Sequence, residues 1–276
     1  MERRISGYTT LIGLLATPIK HTSSPKMHNE AFQYLGLDYA YLAFEVGNDG
    51  LEDAVKGLKA MQARGCNVSM PNKTVIHKYL DKLTPAAELA GAVNTVINDD
   101  GVLTGHITDG VGYMRSLSDA GFDVIGKKMT IVGAGGAATA ICINQDDEFF
   151  ARAEETVKKI NEKTNCKAKL FRLEDKEALR AEIADSVIFT NATGMGMKPY
   201  VGQTYIEKDM LRPDLIVSDV VYQPAKTRLL ELAEEVGCPT INGLGMMLFQ
   251  GAEAFKCWTG QEMPIEHMKE FLFGDK

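Results

Sequence analysis

An α/β fold with two domains is predicted by three observations. Strand-like and helix-like pieces alternate over roughly the first 105 residues. A strand at 129–132 runs directly into a cluster of glycine and alanine. Further apolar strands, each preceded by a helical stretch, follow as far as residue 241. Such alternation argues for largely parallel sheets covered by helices. At 276 residues, 45% of them hydrophobic, the chain is long enough for two domains that each bury a core.

Leu11 to Ala16 reads as a short apolar strand that stops at Thr17-Pro18. Pro25 to Leu35 carries Met27, Ala31, Phe32 and Leu35 at helical spacing, and Gly36 ends it. Tyr39 to Val46 alternates as a strand, and Gly50 to Arg64 is an amphipathic helix closed by Gly65. A strand from Gly65 then meets Pro71. Proline is favoured at the first position of a helix, so Thr74 to Leu83 is predicted helical with Lys73 in its first turn. Ala92 to Asn98 and Val102 to Gly105 form two strands joined at Asp99-Asp100-Gly101, a hairpin signal. A second unit opens with a helix near Asp109. Its strands are Met129 to Val132, Ser186 to Asn191, Leu215 to Val221 and Pro239 to Ile241. Met246 to Phe273 is mostly helical and is expected to pack back on the first domain. The domains therefore read as 1–108, 109–245 and a returning segment 246–276.

Several function classes are excluded. The net charge is -7 with no basic cluster, which argues against nucleic acid as a partner. No apolar run is long enough to span a bilayer, and the short run Leu11 to Ala16 does not make a secretory signal. The cytoplasm is the expected location. Cys66, Cys142, Cys166, Cys238 and Cys257 are scattered without a CxxC pair, as expected of reduced thiols. The five histidines show no metal-binding spacing, so no metal is expected.

Two places carry chemistry. Lys73 sits where the positive end of a helix dipole opposes an ammonium group, and partial desolvation acts the same way. A lysine so placed can exchange its proton near neutrality. Gly133-Ala134-Gly135-Gly136-Ala137 lies between a strand and a helix. Glycines there let the backbone approach a pyrophosphate, and small residues let the helix pack closely with its N-terminus toward the phosphates. This loop points to a doubly wound, Rossmann-type nucleotide domain.

With these in hand, the chain resembles the shikimate dehydrogenase family, nearest the quinate/shikimate dehydrogenase branch. The likeness spans nearly the whole length. It is carried by His21-Thr22-Ser23-Ser24-Pro25, Asn67 to Lys73, Gly91-Ala92-Val93-Asn94-Thr95, Thr108-Asp109-Gly110, Gly133 to Ala137, Asn191-Ala192-Thr193-Gly194 and Gly243 to Met246 with Gln250-Gly251-Ala252. The resemblance implies an N-terminal substrate domain and a nucleotide domain. It implies oxidation of the ring hydroxyl of shikimate or quinate, with hydride passing to a nicotinamide. It assigns proton transfer to Lys73 with Asp109, and a seat for the substrate carboxylate to Thr22 and Ser24. Ring hydroxyls fall to Ser69, Asn94, Tyr222 and Gln250. Cofactor contacts fall to Gly133, Ala134, Gly135, Gly136, Ala137, Asn144, Asp147, Asn191, Ala192, Thr193 and Gly243. A homodimer is what such relatives suggest. Two residues depart from the family's usual pattern: Thr22 stands where serine is usual, and Ile107 where asparagine usually precedes the Thr-Asp pair. At the adenosine end, Asn144-Gln145-Asp146-Asp147 has no arginine and two carboxylates, which favours NAD over NADP. Two other readings stay open: a dinucleotide-binding regulatory protein of weak activity, and a dehydrogenase of another small hydroxy carboxylate.

One spacing is anomalous. A dinucleotide fold places a helix of about 10–12 residues and a strand of about five before the ribose-binding position, roughly 20 residues on. Here Asp146-Asp147 arrives 13 positions after Gly133. About 10–15 residues are thus expected to be absent between roughly Cys142 and Asn144. If the polypeptide carries them, its intact mass exceeds 30.2 kDa. A mass of 30.2 kDa by mass spectrometry overturns that expectation and means that the first crossover helix is lost.

Overall fold

The computed structural model describes residues 5–133 and 147–274. The chain divides into two compact units, Met1–Gly112 with Leu248–Lys276, and Tyr113–Met247. The first contains β1 (Thr10–Ala16), α1 (Ser24–Tyr34), β2 (Tyr39–Glu45), α2 (Leu51–Ala60), β3 (Gly65–Val68), β4 (Lys82–Leu83), α3 (Pro85–Ala90), β5 (Thr95–Asp99) and β6 (Val102–His106). The six strands make one sheet in the order β2-β1-β3-β5-β6-β4. β1 is parallel to β2 and β3, and β4 to β6, while β5 is antiparallel to both of its neighbours.

This sheet is mixed where the alternation suggested a largely parallel one, and the hairpin is the reason. Asp100 at φ 52° and Gly101 at φ 89° supply the two left-handed positions of a tight turn. The Gly101 amide donates to the Asn98 side chain across that turn. A second difference concerns residues 74–83, which do not form the expected α-helix. Two short 3₁₀ turns, Asn72–Thr74 and Ile76–Tyr79, are followed by extended Leu80 and by β4. The run Thr74-Val75-Ile76 is β-branched and restricts helical rotamers. Extension at Leu80 also lets Asp81 bond both backbone groups of Leu103, accepting from its amide at 2.7 Å.

The second unit contains most of α4 (Asp109–Asp119), then β7 (Met129–Val132), α5 (Asp147–Lys163), α6 (Lys176–Ala184), β8 (Ile188–Asn191), β9 (Ile216–Asp219), α7 (Arg228–Val236) and β10 (Thr240–Ile241). Its sheet runs β10-β9-β8-β7 with every pairing parallel. Ile183, Phe189, Leu215, Val217, Leu229 and Ala233 form its core.

α8 (Gly243–Thr259) and α9 (Ile265–Phe273) complete the chain. Leu248, Ala252, Phe255, Trp258 and Met268 from these helices share one core with Ile12, Met27, Phe32 and Tyr41 of the first unit. Among the described residues no helix is long and apolar enough to cross a membrane.

Gly65 joins the returning helix to the sheet. A Cβ there would lie 2.0 Å from the Val96 carbonyl oxygen and 2.8 Å from Trp258 Nε1. That space lets the Trp258 indole donate to the Val96 carbonyl at 3.0 Å. Beside it, Arg64 Nε donates to the Trp258 carbonyl. The substitution Gly65→Ala is expected to lower unfolding free energy by about 2–3 kcal/mol in urea titration. Gly57→Ala, a helical site with no atom within 4 Å of the added carbon, raises it by up to about 1 kcal/mol.

Candidate active site

The residues that carry chemistry in the first unit gather at the carboxyl ends of β1 and β3. β3 ends at Val68, opposite Leu15 of β1, and the following loop brings Ser69 through Lys73 to that edge. β5 runs the other way, so Asn94, just before its first residue, arrives at the same edge. β6 delivers Thr108 and Asp109 beside it, since the Asn94 amide N–H donates to the His106 carbonyl.

Lys73 Nζ donates to Asp109 Oδ2 at 2.6 Å, with side chains 17% and 7% exposed. The other carboxylate oxygen accepts from Asn94 Nδ2 at 2.8 Å. Asn94 also donates to the Thr108 hydroxyl, and its Oδ1 accepts the Thr108 amide N–H. These bonds orient the Asn94 amide without ambiguity, because a backbone N–H can only donate. Asp109 is the first residue of α4, where a helix start further favours a carboxylate. Ile107, where an asparagine was expected, packs against the apolar core instead. The bonding around Asp109 comes from Asn94 and Lys73. A buried carboxylate paired with an amine and held by an amide is suited to passing a proton through that amine.

Gln250 stands next to this pair. Its carbonyl accepts the Thr108 hydroxyl at 3.0 Å, and a Cβ on Gly112 would meet the Gln250 amide nitrogen at 2.4 Å. Backbone contact at Gly112 is thus what places Gln250 there. Thr22 and Ser24 lie at the start of α1, where the Ser24 N–H donates to the Thr22 hydroxyl at 3.2 Å. Ser69 is half-buried at the end of β3, its amide bonded to the Leu15 carbonyl. Tyr222 belongs to the second unit and is 37% exposed.

In the second unit, the parallel register places Val132 beside Asn191 and Asn191 beside Asp219. Gly133, Ala192 and Thr193 therefore emerge together at the carboxyl edge, where open α/β sheets receive ligands. Gly133 has φ 125°, and a Cβ on it would sit 2.6 Å from the Ala192 carbonyl. Gly243 is equally confined, with the Val220 carbonyl 2.0 Å from a Cβ. Ala134, Gly135, Gly136, Ala137 and Asn144 lie outside the described residues, and Asp147 is the first residue of α5. Asn191 is engaged within the protein. Its Nδ2 donates to the Met195 carbonyl and Asp219 Oδ1, and its Oδ1 accepts the Thr193 hydroxyl. Its part is to shape this loop. Among the described residues no group of three His, Cys, Asp or Glu side chains could hold a metal.

Asp219 escaped the reading of the sequence, although a carboxylate closing the apolar strand Leu215 to Val221 was a visible signal. It is 1% exposed and accepts from Thr227, the Val221 amide and Asn191. Burial pushes its carboxyl up to about 6, against the opposing pull of these hydrogen bonds.

Two family models match the chain. One is described as the shikimate dehydrogenase substrate binding domain, over residues 14–96, and the other as the shikimate 5'-dehydrogenase C-terminal domain, over residues 243–272. The shikimate dehydrogenase (NADP(+)) of Listeria innocua is 69% identical, the alignment covering 99% of both chains. That alignment runs over 287 positions against 276 residues here, so at least eleven of its positions have no counterpart in this chain. The difference is of the size of the crossover shortfall. The crystal structure of a Listeria monocytogenes shikimate 5-dehydrogenase, a complex with shikimate and NAD, is 67% identical with a TM-score of 0.94, covering 99% of each chain. A quinate dehydrogenase from Corynebacterium glutamicum in complex with NAD is 27% identical with a TM-score of 0.83, covering 95% of this chain and 98% of its own.

A carboxyl group that holds its proton more tightly folded than unfolded loses stability as pH rises. For Asp219 the loss runs from about 4 to about 6 and is complete above that. Asn keeps an acceptor for Val221 and Asn191 while removing the charge. The melting temperature of Asp219→Asn is therefore expected to gain on wild type across that window, read by calorimetry at several pH values.

Proposed function

This chain belongs to the shikimate dehydrogenase family, and from that premise we propose that it oxidises the ring hydroxyl of shikimate to the 3-dehydro ketone, reversibly. The observation that carries the reading is the Lys73–Asp109 pair, 2.6 Å apart and largely withdrawn from water. Oxidation removes a proton from oxygen and a hydride from carbon. Lys73 takes the hydroxyl proton as base, and in the reverse direction returns it to the carbonyl oxygen. Asp109 holds the amine in place and balances its charge, and Asn94 holds Asp109. Thr22 and Ser24, at the start of α1, seat the carboxylate with hydroxyl groups and the helix N-terminus. Ser69, Asn94, Gln250 and Tyr222 take the ring hydroxyls.

The nicotinamide dinucleotide supplies the hydride acceptor when bound. The small residues Gly133, Ala192 and Gly243, confined at the carboxyl edge of a parallel sheet, fit such a ligand. NADP is proposed as the working cofactor, because relatives at 69% identity are named for NADP(+). NAD is accepted as well, as in the Listeria monocytogenes complex. The preference for NAD drawn from the stretch Asn144 to Asp147, of which Asp147 alone is described, is not favoured, since relatives at 69% identity are named for NADP(+). Quinate carries one more hydroxyl at the carboxylate-bearing carbon, next to the extra methyl of Thr22. One small group discriminates by about 10–200-fold, so quinate is turned over more slowly than shikimate.

The test is a two-by-two assay of cofactor reduction with shikimate or quinate and NAD⁺ or NADP⁺. Shikimate with NADP⁺ is expected to be fastest. Lys73→Ala lowers kcat by about 10²–10⁴, with folding checked by circular dichroism. Absence of turnover in all four mixtures overturns the reading in favour of a dinucleotide-binding protein without catalysis.

A further inference from the structure

A line of buried hydrogen bonds runs from Tyr41 to the Lys73–Asp109 pair. Tyr41 on β2, Asn67 on β3 and Thr95 on β5 are 0%, 7% and 0% exposed. The registers Tyr41↔Ile12↔Gly65↔Ile97 and Asn67↔Thr95 place all three side chains on one face of the sheet. Tyr41 reaches across β1 to Asn67, its hydroxyl 2.7 Å from Asn67 Oδ1. Asn67 Nδ2 lies 3.0 Å from the Asn94 carbonyl and 3.1 Å from Thr95 Oγ1. Thr95 Oγ1 is in turn 3.0 Å from Asn94 Oδ1.

Every proton in this line has one direction. The Asn94 carbonyl can only accept, so the NH₂ of Asn67 faces it and Oδ1 faces the phenol. Tyr41 must therefore donate to Asn67. Asn67 donates to Thr95, Thr95 to Asn94 Oδ1, and Asn94 to Asp109 Oδ1. Each bond polarises the next, and all lead toward the carboxylate that holds Lys73.

The phenol is held by more than this line. Asn29 of α1 bonds both backbone groups of Tyr41, at 2.9 and 2.8 Å, on the open edge of β2. His28 stacks on its ring with centroids 4.5 Å apart, and Trp258 lies 6.1 Å away. His28 is fully buried with no hydrogen-bond partner on either nitrogen, so it acts as a flat packing surface.

We propose that Tyr41, Asn67 and Thr95 are positioning residues which, through Asn94, orient the Lys73–Asp109 pair. The proposal rests on the shikimate dehydrogenase reading above. None of the three residues touches the reacting atoms in this account. They act through Asn94 and Asp109.

The experiment compares steady-state kinetics of wild type, Thr95→Val, Thr95→Ser and Tyr41→Phe with shikimate and NADP⁺ from pH 5 to 10. Thr95→Val keeps the shape and removes the hydroxyl. It is expected to lower kcat by about 10- to 100-fold with KM for shikimate unchanged, and to move the acidic limb of the pH–rate profile upward. Thr95→Ser keeps the hydroxyl and retains wild-type values. Tyr41→Phe removes the donor at the start of the line and is expected to lower kcat in the same direction. If Thr95→Val and Tyr41→Phe retain the wild-type kcat and pH profile and lose only melting temperature, the three residues are structural and the positioning role is overturned. A wild-type enzyme silent toward shikimate in the same plates overturns the functional reading, and the positioning role with it.

Discussion

A carboxylate withdrawn from water must be compensated, and the first unit is arranged around that demand. Asp109 is 5% exposed, and a buried charge with one partner missing costs several kcal/mol. Two requirements follow from its position. A cation must reach it, which the loop after β3 provides through Lys73. A neutral donor must also meet its second oxygen, which the reversed strand β5 provides through Asn94. The antiparallel direction of β5 is therefore tied to the compensation of Asp109: a parallel strand would bring its other end to this edge. The close approach at Gly112 meets the same demand from the α8 side, bringing Gln250 against Thr108.

The two units treat buried carboxylates differently. Asp109 is paired with an amine and held by an amide. Asp219 has only neutral donors around it, and burial leaves its proton bound more tightly than in water. One arrangement pairs a carboxylate with a cation. The other uses a side chain to brace the loop through Asn191 and Thr227.

Much of this architecture was legible in the residues, though unevenly. Strands such as Leu11 to Ala16 and Met129 to Val132, and helices such as Pro25 to Leu35, follow directly from apolar spacing bounded by glycine and proline. The hairpin at Asp99-Asp100-Gly101 was equally plain, yet its effect on strand direction needed the partner strands. The expected helix after Pro71 failed because local preference for a helix start was outweighed by β-branched Thr74-Val75-Ile76 and by the pairing of Asp81 with Leu103. Lys73 and Asp109 drew notice from their places beside proline and at a helix start. Tyr41, Asn67 and Thr95 did not, because what joins them is cross-strand register between segments 26 to 28 residues apart, which no local pattern records.

The way Trp258, Phe255 and Met268 complete the core of Ile12, Met27 and Phe32 bears on the order in which the chain acquires structure. Tyr113 to Met247 is one uninterrupted stretch whose partners have all left the ribosome before the last helices are made. The N-terminal sheet is synthesised first but lacks the indole that bonds the Val96 carbonyl until α8 emerges. During synthesis the later-made unit can thus finish first, while the earlier one waits, its apolar face uncovered, until α8 and α9 have been made.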